Sequence, residues 1–589
     1  MNEQGKYINK VGDSMIEMVK YLKPYRGKLV LVVFFSLIAI LFELYLPTLM
    51  AEIVDIGIVQ QDIPFILQTG GLMLLCALMA ISLMVAVSYF ASKVSLGFGR
   101  DMRKRLFVHI EHFSLEEYEK FGSASLITRT TNDVKVVQDV VNMMQRLMTR
   151  APLMLIGGVF LAISRDASLS LVFLGALPIL AIVIVFIARK AIPLFSALQK
   201  KTDRLTLLLR EGLTGVRVVR AFNQVEFEKT RFNEANEDFR DTGINVGKLM
   251  ATLFPIMLII MNFTNIAIIW FGALRIDQGD MQVGNLLAFI QYAAMILMSL
   301  IMLSMAFIMI PRAQVSAKRL NEVLLTAPMI KDPESEEQGT FEEGVIEFQN
   351  VTFRYEGAEK PVLKALSFTA KPGETTAIIG STGSGKSTLL QLIPRFYDVE
   401  SGSILIDGVN IKQLKQSTLR KKIGYVPQKA TLFSGTIAEN MRYGNEQASE
   451  EEILTSLETA QALEFVLKRD RGIHSQLEQA GSNLSGGQKQ RLSIARSLVR
   501  KPLIYLFDDS FSALDYQTDR KLRDALKKET SQATILVVAQ RVSTVKDAEK
   551  IIVLNDGEIV GIGTHDELVA SNPVYQEIVA SQQSGEVGA

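Results

Sequence analysis

The sequence predicts two structural classes in one chain: a membrane α-helical domain of six spans, then an α/β domain on a mostly parallel sheet. Three observations carry the prediction. Charge-free apolar runs recur through the first half. After residue 344 the pattern changes to alternating strands and helices. A glycine-rich turn there follows a buried strand and opens a helix. Hydrophobic residues make up 48% of the 589 positions and mean hydropathy is +0.23, which suits a membrane region joined to a globular one.

The charge-free runs cover 63–92, 167–188, 249–274 and 281–311. Each is long enough to cross a hydrocarbon core of ~30 Å, which takes about 20 residues. Runs 29–42 and 151–164 are shorter. The first continues past Glu43 to Met50, and the second can begin near Leu147 with Arg150 snorkelling toward the interface. The stretches 93–150 and 189–248 are rich in Arg and Lys, whereas 51–62 holds Glu52, Asp55, Asp62 and no basic residue. The positive-inside rule therefore puts both long stretches, both termini and the second domain in the cytoplasm. A net charge of +1 points to no nucleic-acid partner. Cys76 is the single cysteine, so no internal disulfide forms. The polar N-terminus lacks the pattern of a cleaved signal.

Three regions follow: a membrane domain over 1–325, a linker over 326–344 rich in Pro, Gly and acidic residues, and a second domain over 345–589. Residues 14–27 read as a short interfacial helix ending at Pro24. The long cytoplasmic stretches are too long for simple connections, so spans 2 to 5 are expected to continue as helices beyond the bilayer. In the second domain 346–355 alternates like a strand, 375–380 is a buried strand, and Lys386 opens a helix.

The run Gly380, Ser381, Thr382, Gly383, Ser384, Gly385, Lys386, Ser387 and Thr388 fits GxxxxGK[ST] in its required context. Its backbone N–H groups and the helix start are positioned for phosphate oxygens. Lys386 would reach the β- and γ-phosphates and Ser387 would ligate Mg²⁺. Residues 503–508 form an apolar strand ending in Asp508, as a metal-orienting aspartate requires. Leu484, Ser485, Gly486, Gly487 and Gln488 spell LSGGQ. That is a second phosphate-facing surface without a nucleotide of its own, and it must sit against a phosphate loop on another domain.

At these motifs the chain resembles the ATP-binding cassette (ABC) transporters, in particular half-transporters of the exporter type. The resemblance implies an α/β P-loop NTPase cassette, with ATP and Mg²⁺ as cofactors. It makes Tyr355 the aromatic that stacks on adenine, Gln428 a metal contact beside Ser387 and Asp508, and Asp515 part of the loop across the dimer seam. It also implies coupling helices near 117–125 and 222–228. Asp509 would polarise the attacking water where the family usually has Glu, and Gln540 stands where it usually has His. An Asp carboxylate ends ~1.5 Å nearer the backbone, and a misplacement of ~1 Å can cost on the order of 10²-fold in rate. An amide bonds a phosphate but lacks the imidazolium charge. With both catalytic positions altered and LSGGQ intact, the chain resembles the impaired half of heterodimeric bacterial multidrug exporters. Its expected partner is a second half-transporter carrying the Glu and His. Segment 475–481 also departs from the exporter pattern before the signature.

Met295, Met298, Met302, Met305 and Met309 fall at helical spacing in span 6. Such a soft stripe suits varied apolar shapes, or packs on a neighbouring helix. Glu43 is an acid at membrane depth, able to attract cationic amphiphiles, take a proton or snorkel. Amphiphilic drugs or lipids crossing the cytoplasmic membrane of a bacterium are the expected cargo. A homodimeric exporter using Asp509 as a working base, and a nucleotide-gated channel-like protein, are the alternatives.

Overall fold

The computed structural model describes residues 17–334 and 342–586, apart from the side chains of 304–308, 311 and 583–586. It divides into two compact units: 1–111 with 122–326, and 112–121 with 327–589.

The first unit holds the six apolar helices that the sequence predicts. Five are Lys23–Ile58, Ile63–Glu111, Ser123–Arg165, Leu171–Thr214 and Val225–Asp277, and the sixth is Val283–Leu325. Glu43 does not interrupt the first helix, and the third runs continuously through Arg150. The 53-residue helix Val225–Asp277 is about 80 Å long at ~1.5 Å per residue, far more than a bilayer needs. Of the expected interfacial helix, residues 17–20 are helical and 21–22 form a turn, so it stops short of Pro24, which lies in the turn Lys23–Tyr25 that leads into the first span; residues 14–16 lie outside the described part. At a helix start the proline's missing N–H costs nothing.

Buried polar bonds fasten these helices. The Tyr292 hydroxyl lies 2.9 Å from Thr48 Oγ1 and donates to the Leu44 carbonyl at 3.0 Å, tying the sixth helix to the first. Gly284 N–H donates to Asp55 Oδ1 at 2.6 Å, and a Cβ on Gly284 would come within 2.4 Å of the Ala51 carbonyl oxygen. Only glycine permits that approach. Buried Asp166 accepts from Leu169 N–H and from Arg275 Nε, both at 2.8 Å, and so closes the 166–170 connection.

In the second unit four parallel pairings join Ile423–Val426, Ile504–Asp508, Thr534–Val538, Thr375–Gly380 and Lys550–Asn555 in that spatial order; Glu558–Gly563 adds an antiparallel edge. Strands Ile504–Asp508 and Thr534–Val538 are buried at every position, as a sheet covered on both faces requires. A smaller antiparallel sheet pairs Ile346–Phe353 with Leu363–Ala370 and Ser401–Ile406. The first strand stops at Phe353, which leaves Tyr355 in the following loop. Asp332 of the expected linker accepts from Gln416 N–H and Nε2; residues 335–341 lie outside the described part.

Short helices occur at Leu115–Phe121 and Val216–Ala221, each beginning earlier than the resemblance implied. The first packs within the second unit. Leu115 lies against its apolar cluster, Lys120 pairs with Glu356, and buried Glu117 accepts from Ser114 and from Met329 N–H.

Removing the buried Asp166 carboxylate leaves Leu169 N–H without its acceptor, while partly exposed Arg275 keeps Asp280 within 3.9 Å. Asp166→Ala is expected to cost about 2 kcal/mol, and Asp166→Asn less because an amide oxygen still accepts from Leu169 N–H. Denaturation of the detergent-solubilised full-length protein checks the order.

Candidate functional site

The parallel sheet delivers its strand ends to one corner of the second unit. Strand Thr375–Gly380 runs into the glycine-rich loop and helix Lys386–Leu392. A Cβ on Gly380 would sit 2.1 Å from the Leu554 carbonyl oxygen, and Gly385 has φ +96 with Leu363 in the way, so the loop's path requires glycine at both. At Gly383 (φ +87) a Cβ would meet nothing within 4 Å, so this side of the loop is open.

Lys386 donates to the carbonyls of Gly380 and Ser381 at 2.9 and 2.7 Å. Burial pulls its ammonium below the usual lysine value, and the carboxylates of Asp509 and Asp508 partly restore it. Ser387 Oγ donates to Asp508 Oδ1 at 2.7 Å. Burial pushes the Asp508 carboxyl up; the Ser387 bond opposes that, the neighbouring Asp509 charge adds to it, and Tyr425 and Lys386 oppose it. The converging oxygens of Ser387 and Asp508 are hard donors that fit Mg²⁺.

Asp509 follows with φ +46, a left-handed turn that re-aims its side chain as it leaves the strand. Its N–H donates to the Val538 carbonyl at 2.9 Å. Two amides then meet one oxygen: Gln428 Nε2 at 3.3 Å and Gln540 Nε2 at 3.1 Å, both on Asp509 Oδ2. Gln428 thus faces Asp509 here, with its amide nitrogen rather than its oxygen toward the corner. Gln582 fixes the 540–542 segment by donating to the Gln540 carbonyl at 2.7 Å and accepting from Val542 N–H at 2.8 Å. Tyr355 stands edge-on to Phe353 and Tyr397, and its hydroxyl lies 2.9 Å from Thr388 Oγ1. The ring is thereby held beside the phosphate loop.

LSGGQ forms the start of helix Gly486–Val499, where Ser485 and Gln488 make a reciprocal capping box. Leu484 is buried, Ser485 and Gly486 are exposed, and a Cβ on Gly486 would meet nothing within 4 Å. A helix start open to solvent is an anion site. Asp515 caps helix Tyr516–Glu529 through Thr518 N–H at 2.9 Å, which holds its carboxyl below the usual value.

In the membrane unit Glu43 is not a lone acid. Arg150 Nη2 donates to both of its oxygens at 2.8 Å, so Arg150 turns inward rather than snorkelling. A charge at this depth gains more from a partner than from a long reach to water. Met295, Met298 and Met302 line one cavity with this pair, whereas Met309 is exposed farther along. The Met305 side chain lies outside the described residues. Sequence reasoning missed the Glu43–Arg150 bond, Tyr425 beside Asp508, and Gln582. Only the first left a signal: a basic residue at the start of an apolar run, matching an acid inside another.

The sequence matches the family model of the ABC transporter transmembrane region over residues 29–300 and that of the ABC transporter over 363–512. An uncharacterized ABC transporter ATP-binding protein of Mycobacterium tuberculosis is 42% identical over 96% of this chain and 97% of its own length. YfiB of Bacillus subtilis, also an uncharacterized ABC transporter ATP-binding protein, is 40% identical over 96% and 98%. The fold resembles a solved bacterial Atm1-family ABC exporter with ATP bound, at a TM-score of 0.79 and 23% identity over 95% and 98% of the two chains.

Because folding raises the Asp508 value above 3.8, the folded state holds that proton more tightly than the unfolded chain. The resulting stabilisation is present at acid pH and is lost as pH rises through the folded value. Asp508→Asn is expected to remove this component and to abolish the Mg²⁺-dependent part of ATP stabilisation. Melts of the full-length protein from acid to neutral pH, with and without MgATP, check both.

Proposed function

We infer the function from one premise: the chain belongs to the ABC transporter family, as a six-span membrane domain fused to one ATP-binding cassette. It is an exporter-type subunit whose cassette couples ATP hydrolysis to transport. Beyond that, we propose that it works as one half of a heterodimer in the cytoplasmic membrane, with both termini and the cassette inside, moving amphiphiles outward. Its own site grips ATP and splits it slowly. Its signature helix completes the productive site on the partner.

One observation carries this reading: two amides share a single oxygen of the short Asp509 side chain. Those bonds occupy the oxygen that would have to accept from an attacking water, and an Asp carboxylate ends ~1.5 Å nearer the backbone than that of Glu. The rest of the ATP equipment supports tight binding. Lys386 and the open face at Gly383 serve the phosphates, and Tyr355 lies beside them to take adenine. Ser387 and Asp508 would hold Mg²⁺, which neutralises phosphate charge when bound. Gly486 and Gly487 open the signature helix beyond the Ser485–Gln488 capping box, while Asp515 orders the adjacent loop at the seam.

Assembly needs a second chain to cover the cytoplasmic tip of the membrane unit. Leu213, Val218, Phe222, Val225 and Phe227 are all exposed there. Clustered apolar side chains of this kind mark a partner surface, and Phe222→Ala with Phe227→Ala is expected to lower the assembled fraction in size-exclusion chromatography.

The purified chain alone is expected to hydrolyse ATP slowly, and Asp509→Glu with Gln540→His to raise the rate on the order of 10²-fold. Rapid turnover by the unmodified chain, abolished by Asp509→Asn, would favour the homodimer instead.

A further inference from the structure

Within the membrane unit a cavity of about 310 Å³ is lined by Ser36, Glu43, Met84, Ser88, Arg146 and Arg150, with Met302. A second, of about 240 Å³, shares Glu43, Arg150 and Met302 and adds Met154, Met295 and Met298. Glu43 is 17 positions into the helix Arg26–Glu52, about 26 Å along its axis, so both cavities lie at membrane depth.

The charges of the first cavity do not balance. Arg150 already spans both Glu43 oxygens and also directs Nη1 at Met84 Sδ, 3.2 Å away. Arg146 lies about one turn earlier, in the π-helical turn Met144–Met148, and has no hydrogen-bond, ion-pair or ring partner among the described residues. Two guanidiniums therefore face one carboxylate. Such π turns interrupt regular side-chain spacing and recur at functional positions. Arg146 is exposed where it lines the first cavity, so its guanidinium is open to an incoming acceptor, and basic pockets between spans take acidic headgroups. A cation entering here would have to break the Glu43–Arg150 pair and would still meet Arg146.

We propose that this site takes the anionic head of an amphiphile, a carboxylate or phosphate, on Arg146, with Arg150 behind it. The tail lies along Met154, Met295, Met298 and Met302. This identifies the polar end of the cargo and rests on the exporter reading for the direction of transport, though not for binding. Glu43 then neutralises Arg150, leaving a site that holds one negative charge. Thioethers adapt to tails of different shape.

The test is equilibrium binding of radiolabelled oleate to the full-length chain in phosphatidylcholine nanodiscs without ATP, with oleylamine and oleyl alcohol as competitors. Oleate is expected to bind at least about tenfold more tightly than either competitor. Arg146→Gln is expected to cost about tenfold in oleate affinity while sparing oleylamine, and Arg146→Lys to retain most of it. Oleylamine binding as well as oleate, or oleate indifferent to Arg146→Gln in folded protein, overturns the proposal; the wild-type ranking decides it even if the variant misfolds. Adding phosphatidylglycerol separates the sources. Competition points to a lipid headgroup and no competition to a free anion, and either supports the anion site. Binding without ATP-dependent uptake into inverted vesicles would contradict the exporter reading while leaving the anion site standing.

Discussion

Two adjacent carboxylates leave the buried strand Ile504–Asp508 at the same corner, and they cannot both lie charged in a dry site without partners. The sheet resolves this by sending them different ways. Asp508 stays at the strand end and accepts from Ser387, whereas the left-handed turn at Asp509 swings the second carboxylate onto the amides of Gln428 and Gln540. The first arrangement sets two hard oxygens together beside the phosphate loop. The second holds the Asp509 carboxylate between two neutral amides. The proposed nucleotide grip with slow cleavage rests on this one strand end.

The open start of helix Gly486–Val499 gives that asymmetry a use. Its capping box satisfies the helix internally and leaves the glycine N–H groups facing outward. Under the proposed function, this surface would serve the nucleotide site of a second subunit. The exposed apolar tip of the membrane unit carries the same implication of a second subunit.

What could be read from sequence was local in the chain. Apolar runs gave the six spans because a bilayer demands length and composition alone. The phosphate loop, Asp508 and LSGGQ were legible because backbone geometry forces glycines, hydroxyls and a carboxylate into fixed order. What escaped was pairing across distance. Arg150 was assigned to the interface because nothing near it in sequence is acidic, yet Glu43, 107 positions away, meets it. Segment 112–121 joins the second unit because Leu115 and Glu117 find their contacts around 329 and beyond, which no linear boundary expresses. Whether Gln428 faces metal or Asp509 is likewise a matter of three-dimensional competition.

The central claim is that this cassette holds ATP without promptly splitting it. Purified full-length chain mixed with substoichiometric radiolabelled ATP and Mg²⁺, then separated and acid-quenched over several minutes, tests it without a partner. Bound label recovered mainly as intact ATP is the outcome this account requires. Bound label recovered as ADP from the earliest time points would contradict it.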